Sequence, residues 1–141
     1  MNATIDTEYL LRGMYAAERD YLAAGGPGQA NFDTLAPFFS PDVVLHQARA
    51  LPYGGVWRGH RGMDRFFLAM SRTWSEFEMV GQEFLCTAET AVVLTRVNAR
   101  ARSTRRELSF PILQTLHVVD GRIAEVRPFY WDTAAIVAAL N

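Results

Sequence analysis

The sequence predicts a single α+β domain, residues 1–141, in which a cone-shaped, curved antiparallel sheet wraps around N-terminal helices and encloses one pocket. Three observations lead there. Helical periodicity dominates the first half of the chain. Four long strand-like runs, separated by tight turns, fill the second half. Asp120-Gly121 between two apolar runs is a strong hairpin signal, so neighbouring runs pair antiparallel. Long strands of this kind twist, and a sheet that curls around helices can leave a cavity.

The first helix is expected over about 4–24, with Leu11, Tyr15, Glu18 and Leu22 on one stripe and Leu10, Met14 and Tyr21 beside it. Asp6 and Glu8 suit its first turn, where negative charge meets the helix dipole. Gly25-Gly26-Pro27-Gly28 stops it. A short helix over 33–39 follows, with Asp33 as N-cap and Pro37 near the first turn. Val43–Gln47 reads as a strand, and Leu51–Gly59 as a loop. A helix over 63–77 places Met63, Phe66, Phe67, Met70, Trp74 and Phe77 on one face. Strands are expected near 79–87, 91–102, 105–119 and 122–131, and a closing helix over 133–140 capped by Asp132.

Half of the residues are hydrophobic and 12% aromatic, enough for a substantial core. A net charge of −1 gives no electrostatic reason to bind nucleic acid or an anionic membrane. All 14 basic residues are arginine, which fits the codon bias of a GC-rich bacterial genome and excludes a lysine Schiff base. The single cysteine, Cys86, excludes an intrachain disulfide and reads as a small buried hydrophobe. Met1-Asn2-Ala3-Thr4-Ile5-Asp6 lacks a leader pattern, and no apolar run is long enough to cross a bilayer. A cytoplasmic location is the expectation.

Several stretches carry a family likeness: Tyr15-Ala16-Ala17, Ser40-Pro41-Asp42-Val43-Val44, Leu51–Gly59, Asp120-Gly121-Arg122-Ile123 and Phe129-Tyr130-Trp131-Asp132. With the order of elements, they resemble the SnoaL-like group of the ketosteroid isomerase superfamily, which shares the nuclear transport factor two fold. The resemblance implies a cofactor-independent acid/base enzyme of cyclase, isomerase or dehydratase type, acting on a small hydrophobic ketone or polyketide-like molecule in bacterial secondary metabolism. Alternatives within the same fold are epoxide hydration and a non-catalytic ligand-binding or dimerisation module. The sequence also departs from ketosteroid isomerases. Gln47 stands where the carboxylate base is expected, and an amide cannot take a proton from carbon. Thr115 stands near the place of a second, protonated carboxylate. Tyr15 aligns with the oxyanion-binding tyrosine.

Strand alternation, set by that resemblance, predicts inward sets of Leu45 and Gln47; Leu94, Arg96 and Asn98; Leu113, Thr115 and His117; and Val126, Pro128 and Tyr130, with Asp132 beyond. A slip of one residue inverts any set. Tyr15 is then either an oxyanion donor or an aromatic core residue. His117 is a proton carrier or a half-exposed histidine. Asp132 is a base, an orienter of His117, or a helix cap, the cap being favoured. Arg96, if inward, needs a carboxylate or an anionic substrate group, and Asn98 would add amide hydrogen bonds. His46 has the opposite parity from Gln47 and is expected outward; it becomes the leading base if the register is inverted.

Tyr53 and Trp57 would form the pocket mouth, while Phe67 and Trp74 belong to pocket wall or core. Arg100, Arg102, Arg105 and Arg106 around Ser103-Thr104 make a solvated hairpin tip or a docking patch for an acidic carrier protein. The three histidines show no metal-ligand spacing, and no cofactor motif is present. The expected partner is a small hydrophobic organic ligand. A homodimer is expected through an outer sheet face rich in Val93, Val97 and Phe110.

Overall fold

The computed structural model describes residues 3–141. Helix α1 spans Ala3–Ala23, α2 Gly59–Thr73 and α3 Thr133–Leu140. The strands are β1 (Phe39–Gln47), β2 (Gly55–Arg58), β3 (Trp74–Cys86), β4 (Thr90–Ala101), β5 (Glu107–Val119) and β6 (Arg122–Tyr130). They form one six-stranded curved sheet in the order β2-β1-β6-β5-β4-β3. All neighbours are antiparallel except β1 and β6, which run parallel. The helices lie in the hollow of this sheet, as the α+β expectation requires. Met1 and Asn2 lie outside the described residues.

Local chemistry explains the element ends. At the end of α1, the Gly26 N–H donates to Tyr21 O and the Gly25 N–H to Leu22 O, at 3.0 and 3.1 Å. Gly25 has φ +106°, so this is a Schellman ending that only glycine adopts without strain. Asp120 and Gly121, with φ +52° and +75°, supply the two left-handed residues of a tight hairpin turn. The Asp132 carboxylate accepts from the Ala135 N–H at 3.0 Å and caps α3. At the other end of α3, the carbonyls of Ala138, Ala139 and Leu140 accept from Arg106, Thr104 and Ser103. The turn after β4 is thus a clasp on a helix C-terminus, where cations and donors are favoured.

Several element boundaries differ from expectation: β1 begins at Phe39 rather than Val43, and α2 at Gly59 rather than Met63. The predicted helix over 33–39 is two single 3-10 turns, Phe32–Thr34 and Ala36–Phe38, and the cap is the Asn31 side chain, not Asp33. The Leu51–Gly59 loop contains β2, which pairs with β1. The helix predicted over 63–77 ends at Thr73, and Trp74 and Phe77 lie on β3. A register shift between Trp74 and Glu76 inserts an extra residue into β3. It turns both aromatic rings to the same face. Apolar residues three apart therefore imitate helical spacing in a bulged strand.

The core is a single cluster that joins Leu11, Met14 and Tyr21 of α1, Met63, Phe66 and Phe67 of α2 and the concave face of the sheet. The α1 stripe predicted from the sequence is the buried one: Leu11, Tyr15 and Tyr21 are each at most 4% exposed. Among the described residues, no helix is long and apolar enough to cross a membrane.

Candidate functional site

A cavity of about 340 Å³ lies between α1, α2 and the concave face of the sheet. That volume is within the range of small-molecule sites. Phe39, Leu45, Phe67, Trp74, Ile112 and Val126 are among its apolar walls. Tyr15, Glu18, Gln47, Thr95, Gln114 and Tyr130 bring polar atoms to it. The rings of Trp74, Phe67 and Tyr130 stand on the wall and leave the interior open.

The polar groups come from elements whose geometry places them. Tyr15 and Glu18 are one helical turn apart on α1 and so share a face. The Tyr15 hydroxyl donates to Oε1 of Gln114 on β5. The Tyr130 hydroxyl donates to Oε1 of Gln47 on β1 at 2.9 Å. Both amide oxygens are thereby used, which leaves the amide N–H groups of Gln47 and Gln114 as donors toward a bound oxygen. Behind Tyr130, the Tyr53 hydroxyl accepts from the Trp74 indole N–H at 3.4 Å and is hydrogen-bonded to Tyr130. On β4, Thr95 Oγ1 accepts from the Gln82 amide at 3.1 Å.

Electrostatics single out Glu18. Burial against the apolar wall pushes its carboxyl from the ordinary 4.5 up to about 7, with neighbouring Arg19 pulling the other way. Burial also holds the Tyr15 phenol far above its ordinary range, and the Glu18 charge adds to this. Tyr130 is raised well above its ordinary value for the same first reason. The two tyrosines are therefore neutral hydrogen-bond donors at any working pH. Glu18 is poised to exchange a proton near neutrality.

Of the residues singled out from the sequence, Tyr15, Gln47, Phe67, Trp74 and Tyr130 line the cavity. Tyr53 is fully buried just behind the wall. Trp57 is not at a mouth: its indole donates to Tyr53 O at 3.0 Å, and its ring packs on Phe66. Two of the four inward sets are inverted. Arg96, Asn98 and His117 are exposed, and Thr115 lies on the same outer face with its hydroxyl on Arg127 O. Asn98 accepts from Ser109 at 2.7 Å, outside the sheet. The inward residues of β4 are Ala91, Val93, Thr95, Val97, Ala99 and Ala101, and those of β5 include Phe110, Ile112, Gln114 and Leu116.

Physically, a guanidinium without a carboxylate cannot displace a small apolar side chain from the interior. Leu94 pairs directly with Leu113, so one slip on β4 carries β5 with it. The same inversion removes Val93, Val97 and Phe110 from the outer face, where Leu94, Leu113 and Phe129 stand in one cross-strand row. Asp132 is exposed and acts as the α3 cap. His46 faces outward as expected, its Nε2 3.6 Å from Glu125. The Arg100–Arg106 cluster is divided among separate tasks: Arg100 pairs with Glu76 and Glu107, Arg106 clasps α3, and Arg102 reaches the cavity rim.

Glu18 and Gln114 were not among the predicted site residues. The signal for Glu18 was present, since it shares the stripe of Leu11, Tyr15 and Leu22, where a charged residue must be explained. Gln114 becomes visible only once the register of β5 is known. Alanine replacements of Arg96, Asn98 and His117 are expected to leave ligand affinity in the cavity within about 0.5 kcal/mol of the parent protein, because all three side chains lie outside it. Calorimetric titration of each variant checks this, and a tenfold loss at any of them would restore the opposite register. Among the described residues, no group of three or more His, Cys, Asp or Glu side chains could hold a metal ion.

Comparison with known proteins agrees with this architecture. No curated protein matches the chain. Among solved structures, an NTF2-like protein of unknown function from Burkholderia pseudomallei is 19% identical, with a TM-score of 0.82, covering 100% of this chain and 99% of that one. TerC, co-crystallised with polyporic acid, is 16% identical with a TM-score of 0.81, covering 96% and 98%. A Xanthomonas campestris protein provisionally described as a polyketide cyclase is 15% identical with a TM-score of 0.78, covering 99% and 100%. At such identities these neighbours establish the fold alone. The SnoaL-like domain family itself matches residues 19–126, from the end of the Glu18 turn to the inward-facing Val126 of β6, and with the curved sheet and its cavity this makes the chain a member of that family.

Proposed function

We propose that the chain is a cofactor-independent acid/base enzyme. It moves a proton on a small, largely apolar ketone or polyketide-like molecule, in a cyclisation, isomerisation or dehydration. The observation that carries this reading is Glu18: one carboxyl group, raised to about 7, on the wall of an apolar cavity and one turn from a neutral tyrosine. Glu18 takes a proton from the carbon next to a carbonyl. The amide N–H groups of Gln114 and Gln47, held in place by the hydroxyls of Tyr15 and Tyr130, stabilise the oxygen on which charge develops. The apolar walls lower the local dielectric and strengthen these interactions. TerC, of the same fold, was co-crystallised with polyporic acid, and the Xanthomonas neighbour carries a provisional polyketide cyclase description; both accord with an organic ligand in this cavity.

Epoxide hydration needs a base and a separate acid facing one another, and among the described residues Glu18 is the single carboxyl group on the wall. A module for dimerisation alone is favoured by a filled interior, whereas this one is open; a ligand-binding module shares the open cavity and differs in moving no proton. The test is hydrogen–deuterium exchange next to the carbonyl of 1-tetralone, followed by NMR. The wild-type protein is expected to accelerate exchange, and Tyr15→Phe to reduce the acceleration about a hundredfold. Binding of the ketone without any acceleration would reject the enzymatic reading and leave a binding module.

A further inference from the structure

Among the described residues, Glu18 and Arg102 are the two charged side chains on the cavity lining. Arg102 lies at the opening, beside Ser71 and Ser75, and is exposed. Its position is fixed from three directions. Nε donates to Ser71 O at 3.0 Å, Nη2 to Trp74 O at 3.3 Å, and the backbone N–H to Thr73 O at 2.9 Å. Nη1 has no protein partner among the described residues. No carboxylate pairs with Arg102 there, and among the described residues it is the arginine that lines the cavity. A cation preset at the mouth of an apolar cavity, with one donor edge unused and no counter-charge, is arranged to receive an anion.

We propose that the ligand of this cavity is an amphipathic acid, whose apolar ring body fills the interior and whose anionic oxygen group is held at the rim by Arg102. This rests on the reading of the cavity as a ligand site and adds the charge class of the ligand. The anion is a carboxylate or a phosphate ester, both of which match the guanidinium fork. Arg102 also caps the C-terminal carbonyls of α2. That role alone would predict lower stability for an Arg102 variant and no change in which ligands bind.

The experiment measures dissociation constants of 2-naphthoate, 2-naphthyl phosphate and methyl 2-naphthoate by calorimetry, for the wild type, Arg102→Gln and Arg102→Lys, with melting temperatures alongside. The wild type is expected to bind at least one anion about tenfold more tightly than the ester, a preference that shrinks as salt is raised. The preferred anion identifies the head group. Arg102→Gln is expected to bring that anion to the ester's affinity and leave the ester unchanged; Arg102→Lys keeps part of the preference. Equal affinity for ester and anions in the wild type, or a preference that survives Arg102→Gln, overturns the proposal while the cavity stands as a binding site. If none of the three probes binds, the cavity reading falls and this proposal falls with it.

Discussion

Glu18→Gln is expected to lower the rate of proton transfer by 10²- to 10⁴-fold while ligand affinity changes little. The range is that of a positioned general base. Gln preserves shape and polarity and removes only the exchangeable proton site, so binding and catalysis separate in this variant. In the wild type, the rate should rise about tenfold per pH unit below 7 and level off above it, because the carboxylate is the active form and its carboxyl is raised to about 7. The variant should lose that limb. A Glu18→Gln protein with full activity and the same pH profile would place the base elsewhere.

The same substitution should stabilise the fold. Glu18 holds its proton more tightly when folded (about 7) than when unfolded (4.5), so native protein binds more protons in that window. Stability therefore falls as pH rises from 4.5 to 7, and the full penalty remains above 7. A difference of this size corresponds to at most about 3 kcal/mol, less where cavity water screens the carboxylate. Glu18→Gln removes the penalty. Its melting temperature should exceed the wild type's by several degrees at pH 8 and coincide with it near pH 4.5. Coincidence at both pH values would show that the carboxyl is not desolvated. An active-site group that costs stability is a common trade in enzymes.

Gly54→Ala is expected to cost about 3 kcal/mol, the upper part of the range for overpacking. An added Cβ would stand 2.4 Å from Ala48 O, 2.8 Å from Arg49 Cα and 2.9 Å from Leu51 O. All three are backbone atoms, so no side-chain rotation relieves the contact. The backbone must move, and Tyr53 beside it is fully buried and hydrogen-bonded to the wall residue Tyr130. The effect should therefore reach ligand affinity as well as melting temperature. Gly81→Ala is the control, since nothing stands within 4 Å of its Cβ. Equal melting temperatures for the two variants would show that the loop around Gly54 yields freely.

The sequence alone determined the elements whose signals are local. The stripe of α1, the glycine stop after it, the Asp120-Gly121 hairpin and the Asp132 cap depend on residues within a few positions of one another, and each formed as its chemistry requires. The parity of β1 and β6 followed from the family resemblance, and on β6 local alternation agrees with it, since Val126 stands between Glu125 and Arg127. Only the tertiary structure decided the register of β4 and β5. Apolar residues stand on both faces there, with Val92 and Leu94 outside and Val93 and Val97 inside, so local alternation does not choose between them. The count of small apolar side chains that fit the concave face does. The tertiary structure likewise decided that Trp74 and Phe77 share a face through a bulge. It also gave Glu18 its chemistry, because a proton affinity is set by the walls that remove water from a carboxyl group, and those walls come from distant parts of the chain.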